Sequence, residues 1–178
     1  RRDEFQDVFK DNGADKDPED QLFVDDVLIE SDLELMFLVM YIPNDAERIA
    51  IYRELDNLEG ELETFEFKKR LEDRFGKIPA QGQELIRIVR LRSLAKLVGI
   101  ERIVLKNQVM ILHLITDKES PYYQSPVFDK LIAYVMDNAR SCKFREVGKK
   151  RSVSIKNVST VENAVAIIEQ IKATKTRD

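Results

Sequence analysis

Residues 85–115 read LIRIVRLRSLAKLVGIERIVLKNQVMILHLI, and the change of period inside this stretch decides the fold. Up to Val98 the apolar residues Leu85, Ile88, Leu91, Ala95 and Val98 recur at three- and four-residue steps, the signature of a helix over 81–98. Gly99 closes it, because glycine enters the left-handed backbone that commonly ends a helix. Beyond that point 102–106 and 109–115 read as paired strands around Asn107-Gln108. A helix therefore feeds directly into a hairpin.

Toward the C-terminus, Ser125-Pro126 opens a helix with proline in the first position, where its missing N–H costs nothing. That helix buries Leu131, Tyr134 and Val135. Residues 142–147 and 152–158 form a second hairpin turning at Gly148-Lys149-Lys150, and Ser159 with Glu162 makes a capping box for a last helix through Ile171. Residues 100–178 thus read β-β-α-β-β-α, with a small antiparallel sheet. Toward the N-terminus, Asn44 and Glu47 form another capping box, opening a helix with Ile49, Tyr52 and Leu55 on one face. A second helix is expected from about Thr64, with Phe67 and Leu71 inward, Gly76 as a left-handed stop and Pro79 preventing continuation. Residues 41–99 are therefore a three-helix subdomain. Residues 1–40 read as a helix end carrying Phe5, Val8 and Phe9, an acidic loop over 11–20, and an extended segment with strand-like pieces, FV..VLI and LELMFLV. The fold class is α+β, in three segments that together form one domain.

The 178 residues are 43% hydrophobic and 35% charged, enough for a self-sufficient core. The net charge of −4 hides an asymmetry: residues 1–84 carry 24 acids and 11 bases, residues 85–178 carry 9 acids and 18 bases. Such halves either compensate each other inside one fold or face separate partners. The longest apolar run, residues 35–42, is far short of the ~18 that a membrane span needs. No secretory signal pattern is present, and the lone Cys142 excludes an internal disulfide and fits a reducing compartment. The start at Arg1-Arg2 reads as a fragment of a longer protein.

Catalytic chemistry finds little footing. No glycine-rich phosphate loop occurs, and the pairs Gly76-Lys77 and Gly148-Lys149 lack the glycine and hydroxyl that such a loop requires. A nucleophile needs a base beside it, and the only histidine, His113, sits in the strand MILHLI as a structural residue with Ile111 and Ile115. Zinc would need more cysteines and histidines than these two. Asp15, Asp17, Glu19 and Asp26 suggest a calcium loop only superficially, since its glycine and bidentate glutamate are missing. Basic residues line the third helix and the second hairpin, including Lys143, Arg145, Lys149, Lys150 and Arg151. Phe144 alternates with Lys143 and Arg145 and points inward, so the hairpin offers no base-stacking surface. No metal or cofactor site and no catalytic residue is expected; an interaction module is.

The run Tyr41-Ile42-Pro43-Asn44-Asp45, followed by Glu47-Arg48 and Tyr52, resembles the C-terminal domain of bacterial transcription-repair coupling factors. The likeness continues through Asp73-Arg74-Phe75-Gly76 with Pro79, then Leu94-Ala95 and Leu97-Val98-Gly99-Ile100, in the family's order and spacing. One departure is that residues 37–40 are apolar where the family has a proline-rich approach. The resemblance implies part of an ATP-dependent DNA translocase that removes stalled RNA polymerase and recruits nucleotide excision repair in the cytoplasm. Motor domains with their ATP and Mg would lie before Arg1. It further implies a non-catalytic, autoinhibitory domain that docks on an N-terminal UvrB-like domain of the same protein and masks the UvrA-binding surface. Contact with DNA by this segment is then weak or absent; the alternative is an auxiliary nucleic-acid-binding module using the basic second half. Asp73 corresponds to one of the acids that meets arginines of the N-terminal domain. A second acid in the family, one turn earlier, is Arg70 here, so the contact is either rearranged through Glu66 or Glu72, or weaker. For Arg48 and Asp73 the plain reading is an internal ion pair.

Overall fold

The computed structural model describes residues 22–176. The helix end and acidic loop expected over 1–20 lie outside the described residues. Five strands, β1 (Leu28–Ser31), β2 (Ile100–Lys106), β3 (Val109–Leu114), β4 (Cys142–Val147) and β5 (Lys150–Lys156), form one sheet in the order β1-β2-β3-β5-β4. The helices are α1 (Asp45–Asp56), α2 (Gly60–Phe75), α3 (Ala80–Val98), α4 (Pro126–Asp137) and α5 (Val161–Ala173), with a 3-10 turn at Pro121–Gln124.

Both expected hairpins form. Asn107 and Gln108 each take positive φ, 54° and 60°, as a tight turn between right-twisted strands requires. The sheet is mixed, however: β1 pairs parallel to β2, with Ile29 opposite Ile103. Only Leu28–Ser31 of the expected extended segment is strand. Residues 33–42 turn instead, because Phe37 is buried and its N–H is taken by the Tyr52 hydroxyl at 2.9 Å, so no strand neighbour is needed.

Alternation sends Ile103, Leu105, Met110, Leu112, Leu114, Val153 and Ile155 to one face of the sheet, where they pack with buried residues of α3, α4 and α5. A second core gathers Phe37, Tyr41, Ile42, Leu55, Phe67, Leu71 and Ile78. The helix α3 serves both. Ile86 and Val89 enter the second core, while Leu91, Leu94, Ala95 and Val98 enter the first. Leu85 and Ile88 of the expected stripe are only partly buried, since a helix packed on two sides has no single apolar face.

Three helix starts and faces differ from expectation. The helix α2 begins at Gly60 rather than Thr64, because the Glu63 carboxylate reaches back to the Glu59 N–H at 2.8 Å and Thr64 Oγ1 donates to the Gly60 carbonyl. The N-cap of α5 is Thr160 rather than Ser159; its hydroxyl accepts from the Asn163 N–H at 2.9 Å. Ile49 is half exposed, since Arg48 rather than Ile49 turns inward to donate to the Ile42 carbonyl.

Candidate functional site

The residues of the Tyr-Ile-Pro run build a frame around α2. Asn44 caps α1, its Oδ1 accepting from the Glu47 N–H at 2.9 Å, and Pro43 leads into it exposed. Arg48 donates to the Ile42 carbonyl and pairs with Asp45 at 2.7 Å, which makes it an internal ion pair. The Tyr41 hydroxyl donates to the carbonyls of Gly76 at 2.8 Å and Leu71 at 3.3 Å, while its ring meets Phe75 at 5.6 Å. Gly76 has φ 82° and ψ −165°, a conformation essentially reserved for glycine rather than the left-handed helical one expected. Pro79 is the N-cap of α3. At its other end Gly99 is left-handed, φ 79° and ψ 34°, and a Cβ there would lie 2.2 Å from the Tyr122 ring.

Arginines on one side of α2 are used up on α1. Arg70 pairs with Glu54, and Arg74 with Glu47 at 2.6 Å while lying over the Phe75 ring. The adjoining exposed strip is different. Glu66 and Asp73, seven residues apart, lie on the exposed side of α2, and among the described residues neither makes a hydrogen bond or ion pair. Glu72 is also exposed and lies close enough to Tyr41 for its charge to act, with burial, in raising the phenol pKa; burial is the larger cause. Asp73 is thus not an internal ion pair. Beside these acids Leu62 and Phe65 are 71% and 65% exposed. Phe65 also borders a groove of about 390 Å³ between α2 and α3, together with Thr64, Lys68, Val89 and Arg90.

A thiol–imidazole pair is ruled out by register. Cys142 pairs with Ile155 and points into the core, whereas His113 pairs with Ser152 and Arg102 on the other face of the sheet. Burial pushes the Cys142 thiol up, away from reactivity. His113 is half-buried in β3, on the same face as Ile111. Burial, then the positive charges of Arg102 and Lys150, hold its pKa below the usual value, against the pull of Glu30. Among the described residues no cluster of His, Cys, Asp and Glu could hold a metal ion, and no helix is long and apolar enough to cross a membrane.

A family model for the TRCF domain matches residues 32–125, which contain the whole frame from Tyr41 to Gly99 and all of α2. The chain belongs to the TRCF domain family. Relatives named transcription-repair-coupling factor, from Rickettsia typhi and Rickettsia prowazekii, are 28% identical over 127 residues and 26% over 109. These alignments cover 69% and 61% of this chain but only 11% and 9% of the relatives' length. A crystal structure of a C-terminal domain of transcription-repair coupling factor superposes with a TM-score of 0.63 at 15% identity, covering 82% of this chain and 92% of that one. It shares the fold.

In this TRCF domain the structure brings Glu66 and Asp73 together on one side of α2, places Glu72 at its shoulder, and assigns Tyr41, Tyr52, Phe75 and Gly76 to the frame beneath. The reading of the sequence missed Leu62 and Phe65. With α2 started at Thr64, Leu62 fell in a loop. The available signal was that both are apolar yet off the buried Phe67–Leu71 stripe.

Proposed function

We propose that this domain is the non-catalytic, autoinhibitory module of a transcription-repair coupling factor, an ATP-dependent DNA translocase acting on stalled RNA polymerase. In this reading the exposed side of α2 docks on the N-terminal UvrB-like domain of the same protein and masks the surface that UvrA binds. The observation supporting it is the set of exposed acids, Glu66, Glu72 and Asp73, beside exposed Leu62 and Phe65. An exposed charge pair contributes only ~0–1 kcal/mol, too little to hold a clamp closed. Burying a leucine or phenylalanine adds roughly 1.5–3 kcal/mol each, so the apolar pair supplies affinity and the acids supply orientation.

The test is calorimetric titration of the chain with the separately expressed UvrB-like region. Asp73→Arg should weaken binding several-fold, and Leu62→Ser with Phe65→Ser should weaken it by more than tenfold. Binding indifferent to all three changes would place the contact elsewhere on the domain.

A further inference from the structure

The face of the sheet turned away from α3, α4 and α5 has no buried residue anywhere along it. Pairing fixes its members: Arg102 beside His113, His113 beside Ser152, and Ser152 beside Arg145; then Ser154 beside Lys143, and Lys150 beside Val147. Its charge is uneven. At the β1–β2 edge Glu30 pairs with Arg102 at 2.9 Å and Lys106 at 3.9 Å. On the β4–β5 half, Lys143, Arg145, Lys150 and Lys156 are exposed, and among the described residues none is paired with a carboxylate. The nearby Glu146 lies on the other side of β4, where it is held by Lys118 and Arg151.

We propose that this β4–β5 half is a sequence-independent contact surface for the phosphate backbone of duplex nucleic acid. Long cations flanking the short hydroxyls of Ser152 and Ser154 are the groups that contact phosphate oxygens. The face carries no Phe, Tyr or Trp, since Phe144 points to the core, so neither base stacking nor an aromatic protein anchor is available. The chain's net charge of −4 keeps the contact weak, of the order of 10⁻⁵ M at low salt. This surface lies on different elements from the docking side of α2 and does not depend on it.

The experiment is fluorescence anisotropy of a labelled 20-base-pair DNA with the full chain at 50 and 200 mM salt. Four phosphates neutralised give a slope of about −3.6 in log K against log salt, a loss of roughly 150-fold across that range. Lys143→Gln, Arg145→Gln and Lys150→Gln together should cut the loss to about fourfold. A charge-matched control, Lys69→Gln, Lys77→Gln and Lys175→Gln, should leave it unchanged. His113, the single histidine and on this face, is an independent reporter: its NMR-detected pKa should rise when phosphates offset Arg102 and Lys150. Equal losses in both triple variants, or a His113 pKa unmoved by saturating DNA, would overturn the proposal. Binding to polyglutamate but not to DNA would overturn it in favour of an acidic protein.

Discussion

The phenol of Tyr41 donates a 2.8 Å hydrogen bond to the carbonyl of Gly76, 35 residues further along the chain. A second, longer bond goes to the Leu71 carbonyl, so one buried hydroxyl ties the Tyr-Ile-Pro run to the last turn of α2 and to the residue just past it. The Tyr-Ile-Pro run is thereby anchored beside the end of α2 that carries Glu72 and Asp73.

Removing that hydroxyl alone should be felt. Tyr41→Phe keeps the ring against Phe75 but takes the phenol partner from the Gly76 carbonyl, which costs about 1–2 kcal/mol. Urea unfolding should show a lower midpoint with an unchanged slope. An unchanged midpoint would mean that water replaces the phenol without loss.

Two phenylalanines two residues apart on α2 should behave oppositely. Phe67 is 1% exposed, and Phe67→Ala should cost about 3–5 kcal/mol through lost burial and a cavity. Phe65 is 65% exposed, and Phe65→Ala should stay within about 0.5 kcal/mol while reducing docking affinity. Thermal unfolding of both variants separates them; comparable losses would contradict the outward placement of Phe65.

The two helix-ending glycines should also differ. A methyl group at Gly76 meets open space, so Gly76→Ala carries only the backbone penalty, about 1–3 kcal/mol. Gly99→Ala adds a collision with the buried Tyr122 ring, roughly 1–3 kcal/mol more. Equal destabilisation in denaturant would show that the ring can move aside.

The start of α5 relies on a distant side chain. The Glu84 carboxylate accepts from the N–H groups of Val161 at 2.9 Å and Glu162 at 3.1 Å. Glu84→Ala should therefore destabilise by about 1–2 kcal/mol, with amide exchange accelerated in the first turn of α5. Exchange unchanged there would assign that turn's stability to Thr160 alone.

Stability should also report on His113. Its pKa is lower in the folded protein than its ordinary 6.5, so the unfolded chain binds the proton more readily. The contribution is complete above about 6.5 and is lost as pH falls through the lower folded value. Between pH 8 and pH 5 the wild-type chain should lose more stability than His113→Gln in matched urea titrations. Parallel pH profiles would remove the imidazole as the cause.

Much of this architecture was legible because local signals were strong. Asn44 and Ser125-Pro126 name their helix starts through side chains that reach only three residues. Asn107-Gln108 marks a turn by its position between alternating runs. The stretch LELMFLV misled because apolar density resembles a strand, whereas Tyr52 and the second core decide its path. On the exposed strip of α2, Asp73 was identifiable from its motif, but its lack of a partner among the described residues was not.

The sequence by itself determined the order of helices and strands from Asn44 onward, the α3-to-hairpin transition and the helix ends at Gly76 and Gly99, since these depend on backbone preferences and nearest neighbours. Only the tertiary structure decided that β1 joins parallel to β2, that Glu84 caps α5, and that Arg70 and Arg74 are consumed by α1 while Glu66 and Asp73 stay free. Those outcomes depend on which side chains meet across tens of residues, and a one-dimensional pattern carries periodicity but not that geometry.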